Sequence, residues 1–224
     1  PDSELFGVER DLDRLMQVRH RYSDVTFYQR DLMELSDLKD LQGKFTTVIL
    51  SNVLHEIDWP FGRNASHYVL QTVWALLQDG GGLILRDGVK PQEKDQEVEV
   101  LFKTPYAREK FERFANEFRP RRIRFSYVDV ALTAVRLSAY DLHDLLNKYM
   151  YEGTMWKGEM EEVFGQMNVE EYQRFVGRYF AVTNSYVYIA DHLLPLWKRD
   201  FEVVDGEFPK SHILIRAIKA SREA

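Results

Sequence analysis

Hydrophobic residues in the first 88 positions fall into short runs separated by polar stretches. The runs with the length and β-branched content of strands are 4–9, 25–28, 45–50 and 83–87. Helices are predicted between them over 11–22 and 64–77, where apolar residues recur three and four positions apart. Strand and helix therefore alternate, and this alternation predicts a parallel sheet of the α/β class.

The pattern changes over residues 89–200, which we interpret as a mainly helical insert. The predicted helices of this segment are 92–118, 139–151, 156–164, 169–180 and a stretch near 188–198. Extended structure is indicated only at 123–127 and 182–188. Two further runs, 201–204 and 212–218, flank a loop with Gly206 and Pro209. They predict an antiparallel pair at one edge of the sheet.

Composition and charge narrow the class of protein. The chain of 224 residues carries 30 basic and 36 acidic side chains, a net charge of −6, which argues against a general nucleic-acid coat. It has no cysteine, so disulfides, thiolate metal sites and cysteine nucleophiles are excluded. No apolar run approaches the roughly 20 residues that cross a bilayer. We expect a soluble, cytoplasmic globular protein without membrane contact.

Three segments resemble class I S-adenosylmethionine-dependent methyltransferases, in the order and spacing of that family. Residues 6–11 resemble its second strand, which ends in an acid, and 47–57 resemble its fourth strand and the following loop. Residues 76–87 resemble the helix, glycine turn and fifth strand. The resemblance implies a Rossmann-like sheet formed by 1–88 and 201–224, with the segment 89–200 inserted after the fifth strand.

The family's first strand and its glycine-rich loop have no counterpart in this sequence. G-x-G occurs only within the turn at 80–82, which belongs to another part of the fold. Two interpretations stay open. Either the sequence is a piece of a longer protein, or it is a degenerate domain that does not bind the cofactor.

The resemblance implies a set of residues that hold S-adenosylmethionine. Glu9 corresponds to the acid that accepts hydrogen bonds from the ribose, and Asp31 to the acid that accepts from the adenine amino group. Leu32 would contact the adenine face, and Ser51 and Asn52 would lie beside the sulfur. Each acid also has an ordinary alternative, since either can stabilise a helix start.

His55 and Glu56 follow one turn later and are the candidate catalytic residues. A histidine with a pKa near neutrality can take a proton from an acceptor hydroxyl or amine as the methyl group arrives. The alternative is a loop histidine that caps the next segment. His55, Glu56 and His67 do not have the spacing of a metal site, and we expect none.

Candidate substrate residues lie in the insert, which holds nine of the twelve tyrosines. Tyr140 and His143 share a predicted helix face, and Arg122 belongs to a basic run that suits a phosphate. The alternative for the tyrosines is burial in a core, and the alternative for the basic run is a solvated strand edge.

We therefore expect an enzyme that moves a methyl group to an oxygen or nitrogen acceptor on a small molecule. The insert is expected to act as a substrate lid that packs over the carboxyl ends of the strands, above His55 and Asp87. A non-catalytic binding or scaffolding domain is the first alternative. An RNA-modifying methyltransferase, with nucleic acid as partner, is the second, and the acidic net charge does not favour it.

Overall fold

The computed structural model describes residues 3–37 and 39–220, without the side chains of residues 36, 37, 59 and 60. Strands and helices alternate in the first half, as the hydrophobic pattern predicts. The strands there are β1 (Leu5–Glu9), β2 (Val25–Gln29), β3 (Phe45–Ser51) and β4 (Leu77–Gly88). The helices are α1 (Leu12–Arg21), α2 (Leu54–Phe61) and α3 (Arg63–Leu76), and two 3-10 helices span Leu32–Asp37 and Lys39–Leu41.

The second half is a mixture of helices and strands rather than a mainly helical segment. The strands are β5 (Glu97–Phe102), β6 (Phe125–Tyr127), β7 (Ala134–Ser138), β8 (Ala181–Tyr188), β9 (Phe201–Val204) and β10 (His212–Ile218). The helices are α4 (Pro105–Glu117), α5 (Ala139–Lys148), α6 (Gly153–Glu159), α7 (Val169–Val176) and α8 (Leu193–Asp200).

The strands form three sheets. β1 pairs in parallel only with β2, from Leu5 opposite Val25 to Glu9 opposite Gln29. The second sheet has the order β3-β4-β10-β8, with β3 and β4 parallel and β10 antiparallel to both of its neighbours. The third, antiparallel throughout, has the order β6-β7-β5-β9. The parallel pairs were predicted correctly.

The first two sheets lie side by side without a hydrogen-bonded ladder between β1 and β3. The rings of Phe6 on β1 and Phe45 on β3 meet edge to face, with centroids 5.3 Å apart. This contact links the two sheets through side chains.

The prediction that 201–204 and 212–218 pair with each other is wrong. β9 pairs with β5 in the third sheet, whereas β10 lies between β4 and β8 in the second. The short loop 205–211 therefore runs between two sheets. In consequence, a strand from the predicted insert belongs to the main sheet, and a strand from the predicted core belongs to the third sheet. The division into domains at 88/89 and 200/201 stays a prediction. The parts of the predicted core that lie outside the described residues are positions 1, 2, 38 and 221–224.

The predicted long helix over 92–118 is also wrong in its first half. Residues 97–102 alternate glutamate with valine before two apolar residues, and this period of two matches β5. Thr104 then caps α4 by accepting a hydrogen bond from the Ala107 amide at 3.2 Å, and Pro105 occupies the first helical position.

Two hydrophobic cores correspond to the two larger sheets. The first packs α3 and α7 onto the second sheet, and α3 buries Ala65, Val69, Val73 and Leu76 at helical spacing. The second core packs α4, α5, α6 and α8 around the third sheet, with Trp156 and Trp197 fully buried. The first core positions the ends of β3 and β4, where the candidate site lies.

Candidate functional site

The candidate residues lie at or just after the carboxyl ends of the two parallel strand pairs, β1–β2 and β3–β4. Open α/β sheets bind ligands at this end of their strands. Glu9 ends β1 and Asp31 comes two residues after β2. Ser51 ends β3, and Asp87 is the penultimate residue of β4.

The two acids on the first sheet are accessible and hold local turns. The Glu9 carboxylate accepts a hydrogen bond from the Asp11 amide at 2.7 Å. Asp31 accepts one from the Met33 amide at 2.9 Å, and its other oxygen lies 3.5 Å from an Arg10 guanidinium nitrogen. Both carboxylates therefore present acceptor oxygens at the edge of the sheet. Leu32, next to Asp31, packs against the first hydrophobic core.

Asn52 has the most unusual backbone at this edge. Its φ is 55°, in the left-handed region that a non-glycine residue adopts at a cost. Its amide donates to the Arg86 carbonyl at 2.8 Å, which fixes the turn. Its side-chain Oδ1 is buried and has no hydrogen-bond partner among the described residues. Ser51 beside it is exposed and accepts a long hydrogen bond of 3.5 Å from Arg86. A hydrogen-bond donor on a ligand would satisfy this buried oxygen.

His55 and Asp87 form a buried hydrogen-bonded pair. His55 lies in the first turn of α2, and its Nδ1 is hydrogen-bonded to Oδ1 of Asp87. The Asp87 side chain also accepts from the Leu54 amide at 2.9 Å and the Gly88 amide at 2.7 Å. Because the carboxylate is an acceptor for all three groups, we assign the neutral imidazole proton to Nδ1. Nε2 is then the nitrogen that can accept a proton.

The surroundings set the pKa of His55 in two opposing ways. Burial disfavours the charged imidazolium and lowers the pKa. The charge and hydrogen bond of Asp87 raise it, as do the charges of Glu162 and Glu56, and together they outweigh burial, so the pKa lies above its usual value of 6.5. The imidazole therefore gains a proton more readily than a free histidine does. Glu56 itself is exposed on α2.

The connection between α6 and α7 reaches this pair. The ring of Phe164 packs 5.2 Å from the imidazole of His55, centroid to centroid, and the Gln166 amide donates to the His55 carbonyl at 3.1 Å. Part of the predicted insert thus lies against His55 and the end of β4. Its role as a substrate lid stays a prediction.

The three candidate substrate residues are not brought together in an open cleft. The Tyr140 hydroxyl donates to the Gly165 carbonyl at 2.9 Å. His143 is fully buried behind Phe164, and Arg122 is exposed. The neighbouring Arg121 turns inward instead. Their substrate role stays a prediction that these placements do not support.

Arg121 is half-buried, whereas the other arginines of the basic run, Arg119, Arg122 and Arg124, are exposed. Its guanidinium lies 2.8 Å from Asp141 and 2.8 Å from the fully buried Asp144. It also stacks 3.9 Å above the Tyr140 ring. These contacts give Arg121 a structural role beside α5, and the phosphate role of the basic run stays a prediction.

Sequence reasoning gave Asp87 no chemical role, although one signal was present. Asp87 follows the apolar run at 83–85, and a charged residue at the end of a buried strand is uncommon without a partner. Phe164 and Gln166 carried no comparable signal. Their approach to His55 results from tertiary packing across more than 100 residues.

Two kinds of site are not found in the described part of the chain. Its histidine, aspartate and glutamate side chains include no group of three or more arranged to hold a metal ion. None of its helices has both the length and the apolar character needed to cross a bilayer.

Comparison with known proteins yields structural similarity without sequence similarity. No protein-family model matches the sequence, and no curated protein matches it. Among solved structures, an S-adenosylmethionine-dependent methyltransferase from Mesorhizobium loti superposes with a TM-score of 0.53. The two are 15% identical, over 97% of this chain and 81% of the other. A possible exported protein from Bordetella parapertussis has a TM-score of 0.50 and 11% identity over 99% of this chain. The chain spans 55% of that protein's length. The α/β prediction is confirmed, and the chain has the fold of the class I S-adenosylmethionine-dependent methyltransferases.

Proposed function

We propose that the chain forms part of an S-adenosylmethionine-dependent methyltransferase that acts on an oxygen or nitrogen of a small molecule. The observation that carries the proposal is the His55–Asp87 pair at the carboxyl end of β4. A buried carboxylate that orients a histidine is a common arrangement for a general base.

The residues at this edge fit the nucleoside part of S-adenosylmethionine. Glu9 and Asp31 offer carboxylate acceptors, which suit ribose hydroxyls and the adenine amino group. Oδ1 of Asn52 is a buried acceptor that lacks a donor among the described residues. When bound, the cofactor supplies a methyl group on a positively charged sulfur.

The proposed role of His55 is to take up, at Nε2, the proton that the substrate hydroxyl or amine loses when it receives the methyl group. Asp87 holds the imidazole through Nδ1, fixes its tautomer and stabilises the imidazolium once it forms. Phe164 packs against the imidazole, and its proposed role is to keep water from that side of the ring. The remaining contribution of the chain is to orient the acceptor, which supplies much of the rate enhancement in a displacement reaction.

Titration calorimetry with S-adenosylmethionine tests the first half of the proposal. Binding that weakens when Glu9 and Asp31 are replaced together by alanine supports it. Absence of binding in the longest natural form of the protein contradicts it and favours the scaffolding alternative.

Transfer of a labelled methyl group tests the second half. A panel of small hydroxyl and amine acceptors is compared for wild type, His55→Gln and His20→Gln, in which an exposed histidine of α1 is the matched control. Removing a general base slows the reaction by about 100- to 10,000-fold. We expect such a loss only in His55→Gln, and equal rates in all three proteins would exclude His55 as the base.

A further inference from the structure

A short segment between α6 and α7 is packed tightly against the end of β4. We call residues Phe164–Met167 the strap. The Lys90 amide donates to the Met167 carbonyl at 3.0 Å. A Cβ atom added to Gly165 would lie 2.7 Å from the Lys90 nitrogen, and one added to Gly88 would lie 2.4 Å from the Phe164 carbonyl oxygen. Only glycines allow the two backbones to approach this closely.

Helix α5 holds the strap from the other side. The Tyr140 hydroxyl donates to the Gly165 carbonyl at 2.9 Å, and the Phe164 amide donates to Oδ1 of Asp144 at 3.1 Å. Asp144 is fully buried and is paired with Arg121 at 2.8 Å. The polar groups of the strap are therefore bound by rigid elements on two sides, as expected of a fixed wall rather than a lid that opens.

The strap in turn fixes His55. The Gln166 side-chain amide donates to the His55 backbone carbonyl at 3.1 Å, and the Phe164 ring lies 5.2 Å from the imidazole. Asp87 holds the ring and Gln166 holds the backbone, so both ends of the His55 residue are restrained.

We propose that Gln166 and Tyr140 are positioning residues for His55, with Tyr140 acting through the strap. This inference rests on the proposed role of His55 as the base. A general base has to be held within a fraction of an ångström of its working position, because small displacements reduce the rate steeply. The hydroxyl of Tyr140 donates to the Gly165 carbonyl of the strap, and this hydrogen bond is the route by which Tyr140 would act on His55.

Several charged or titratable groups face the imidazole and are common to all the variants below. Asp87 faces it from β4, Glu56 from α2 and Glu162 from the segment before the strap. His143 and His212 lie on other sides of the Phe164 ring, with centroids 6.0 Å and 5.2 Å away. Burial lowers the pKa of both to about 3, so they stay neutral near pH 7.

The test compares Gln166→Leu and Tyr140→Phe with two matched controls. Gln173→Leu removes an amide that donates to Ser185 at 2.7 Å on the surface, and Tyr179→Phe removes a hydroxyl bonded to His67. The first measurement is the exchange with water of the His55 Nδ1 proton, followed by NMR and assigned by its loss in His55→Gln. The second is kcat and KM for S-adenosylmethionine.

We expect faster exchange of the Nδ1 proton in both test variants and in neither control. We also expect kcat to fall by about 10- to 100-fold for Gln166→Leu, and by less for Tyr140→Phe, with KM for the cofactor unchanged. Exchange rates and kcat equal to those of the controls would overturn the inference. If the exchange changes while no protein transfers a methyl group, the positioning stands and the proposed reaction fails.

Discussion

The imidazole of His55 and the carboxylate of Asp87 are hydrogen-bonded although 32 positions separate them in the sequence. The contact arises because β3 and β4 are parallel neighbours, with Ser51 opposite Arg86. Residues at the end of β4 and just after β3 therefore meet at one edge of the sheet. This placement buries an acid beside a histidine and gives the pair its chemistry.

Replacing Asp87 by asparagine is expected to lower the pKa of His55. In wild type burial lowers this pKa, but Asp87, Glu162 and Glu56 together raise it above 6.5, and we expect burial to dominate once the Asp87 charge is removed. The base works in its neutral form, so the rate of methyl transfer rises as pH increases through this pKa. A pH–rate profile should show the acidic limb of the variant at lower pH, with a rate at the plateau reduced by about 100-fold.

Asp95→Asn is the control for that experiment, because Asp95 is exposed and contacts Lys94 only locally. Its profile should match wild type. An acidic limb that stays in place in Asp87→Asn would show that another group controls the reaction.

Replacing Glu9 by alanine is expected to weaken S-adenosylmethionine binding by about 1–3 kcal/mol, the cost of losing hydrogen bonds to a charged group. Glu9→Gln keeps an acceptor for the Asp11 amide and should lose less. Calorimetry measures both, with the exposed Glu4→Ala as the control. An affinity unchanged in Glu9→Ala would remove Glu9 from the site.

Acid is expected to destabilise the fold through His143 and His212. Burial holds the pKa of each at about 3, below the 6.5 of an unfolded histidine. Between these values the unfolded chain binds more protons, so stability falls as pH falls. The loss at pH 5 is about 2 kcal/mol for each histidine. His55 acts in the opposite direction, because its raised pKa contributes stability below 6.5 that is lost as pH rises through the folded value.

Urea unfolding at pH 7 and pH 5 separates these contributions. The free energy of unfolding at pH 7 minus that at pH 5 should become about 2 kcal/mol smaller in His143→Leu, whatever the absolute stability of that variant. His20→Gln, at an exposed position, should leave the difference unchanged. An unchanged difference in His143→Leu would mean that His143 is protonated in the folded protein.

Gly88→Ala is expected to reduce the free energy of unfolding by about 1–3 kcal/mol or more, because the new methyl group overlaps the Phe164 carbonyl. Gly158 provides the comparison. A Cβ there meets nothing within 4 Å, and an alanine in α6 should stabilise by about 0.5–1 kcal/mol. Denaturant titrations measure the free energy of unfolding of both variants. Similar values for the two would show that the strap moves aside for the new methyl group at little cost.

The hydrophobic pattern predicted the four strands of the first half and the helices α1 and α3, because each has a complete local signal, but it did not predict α2 or the two 3-10 helices. Strand 45–50 contains four consecutive β-branched residues, 46–49, and the helix predicted over 11–22 is observed as Leu12–Arg21. The pattern failed where two signals adjoin. β5 precedes α4 by two residues, and the alternation of β5 was absorbed into the helical pattern of α4.

Sheet membership and the candidate site were less accessible to sequence reasoning. β9 and β10 are close in the chain, yet β9 pairs with β5 and β10 pairs with β4 and β8. Pairing of this kind depends on the packing of both cores. The resemblance led to His55, but its partner Asp87 and its neighbour Gln166 are distant in sequence. No local pattern encodes such contacts.

The missing ladder between β1 and β3 has a thermodynamic consequence. A two-stranded unit is only marginally stable by itself, so residues 5–29 are expected to open locally at a lower free energy than the second sheet. Glu9 belongs to this separately opening unit and Asp31 follows it directly, whereas Asn52 and His55 follow β3 of the second sheet. The affinity for a nucleoside is then reduced by the free energy needed to keep this unit closed. A bound nucleoside stabilises the closed unit, so it should slow the hydrogen exchange of the β1 and β2 amides.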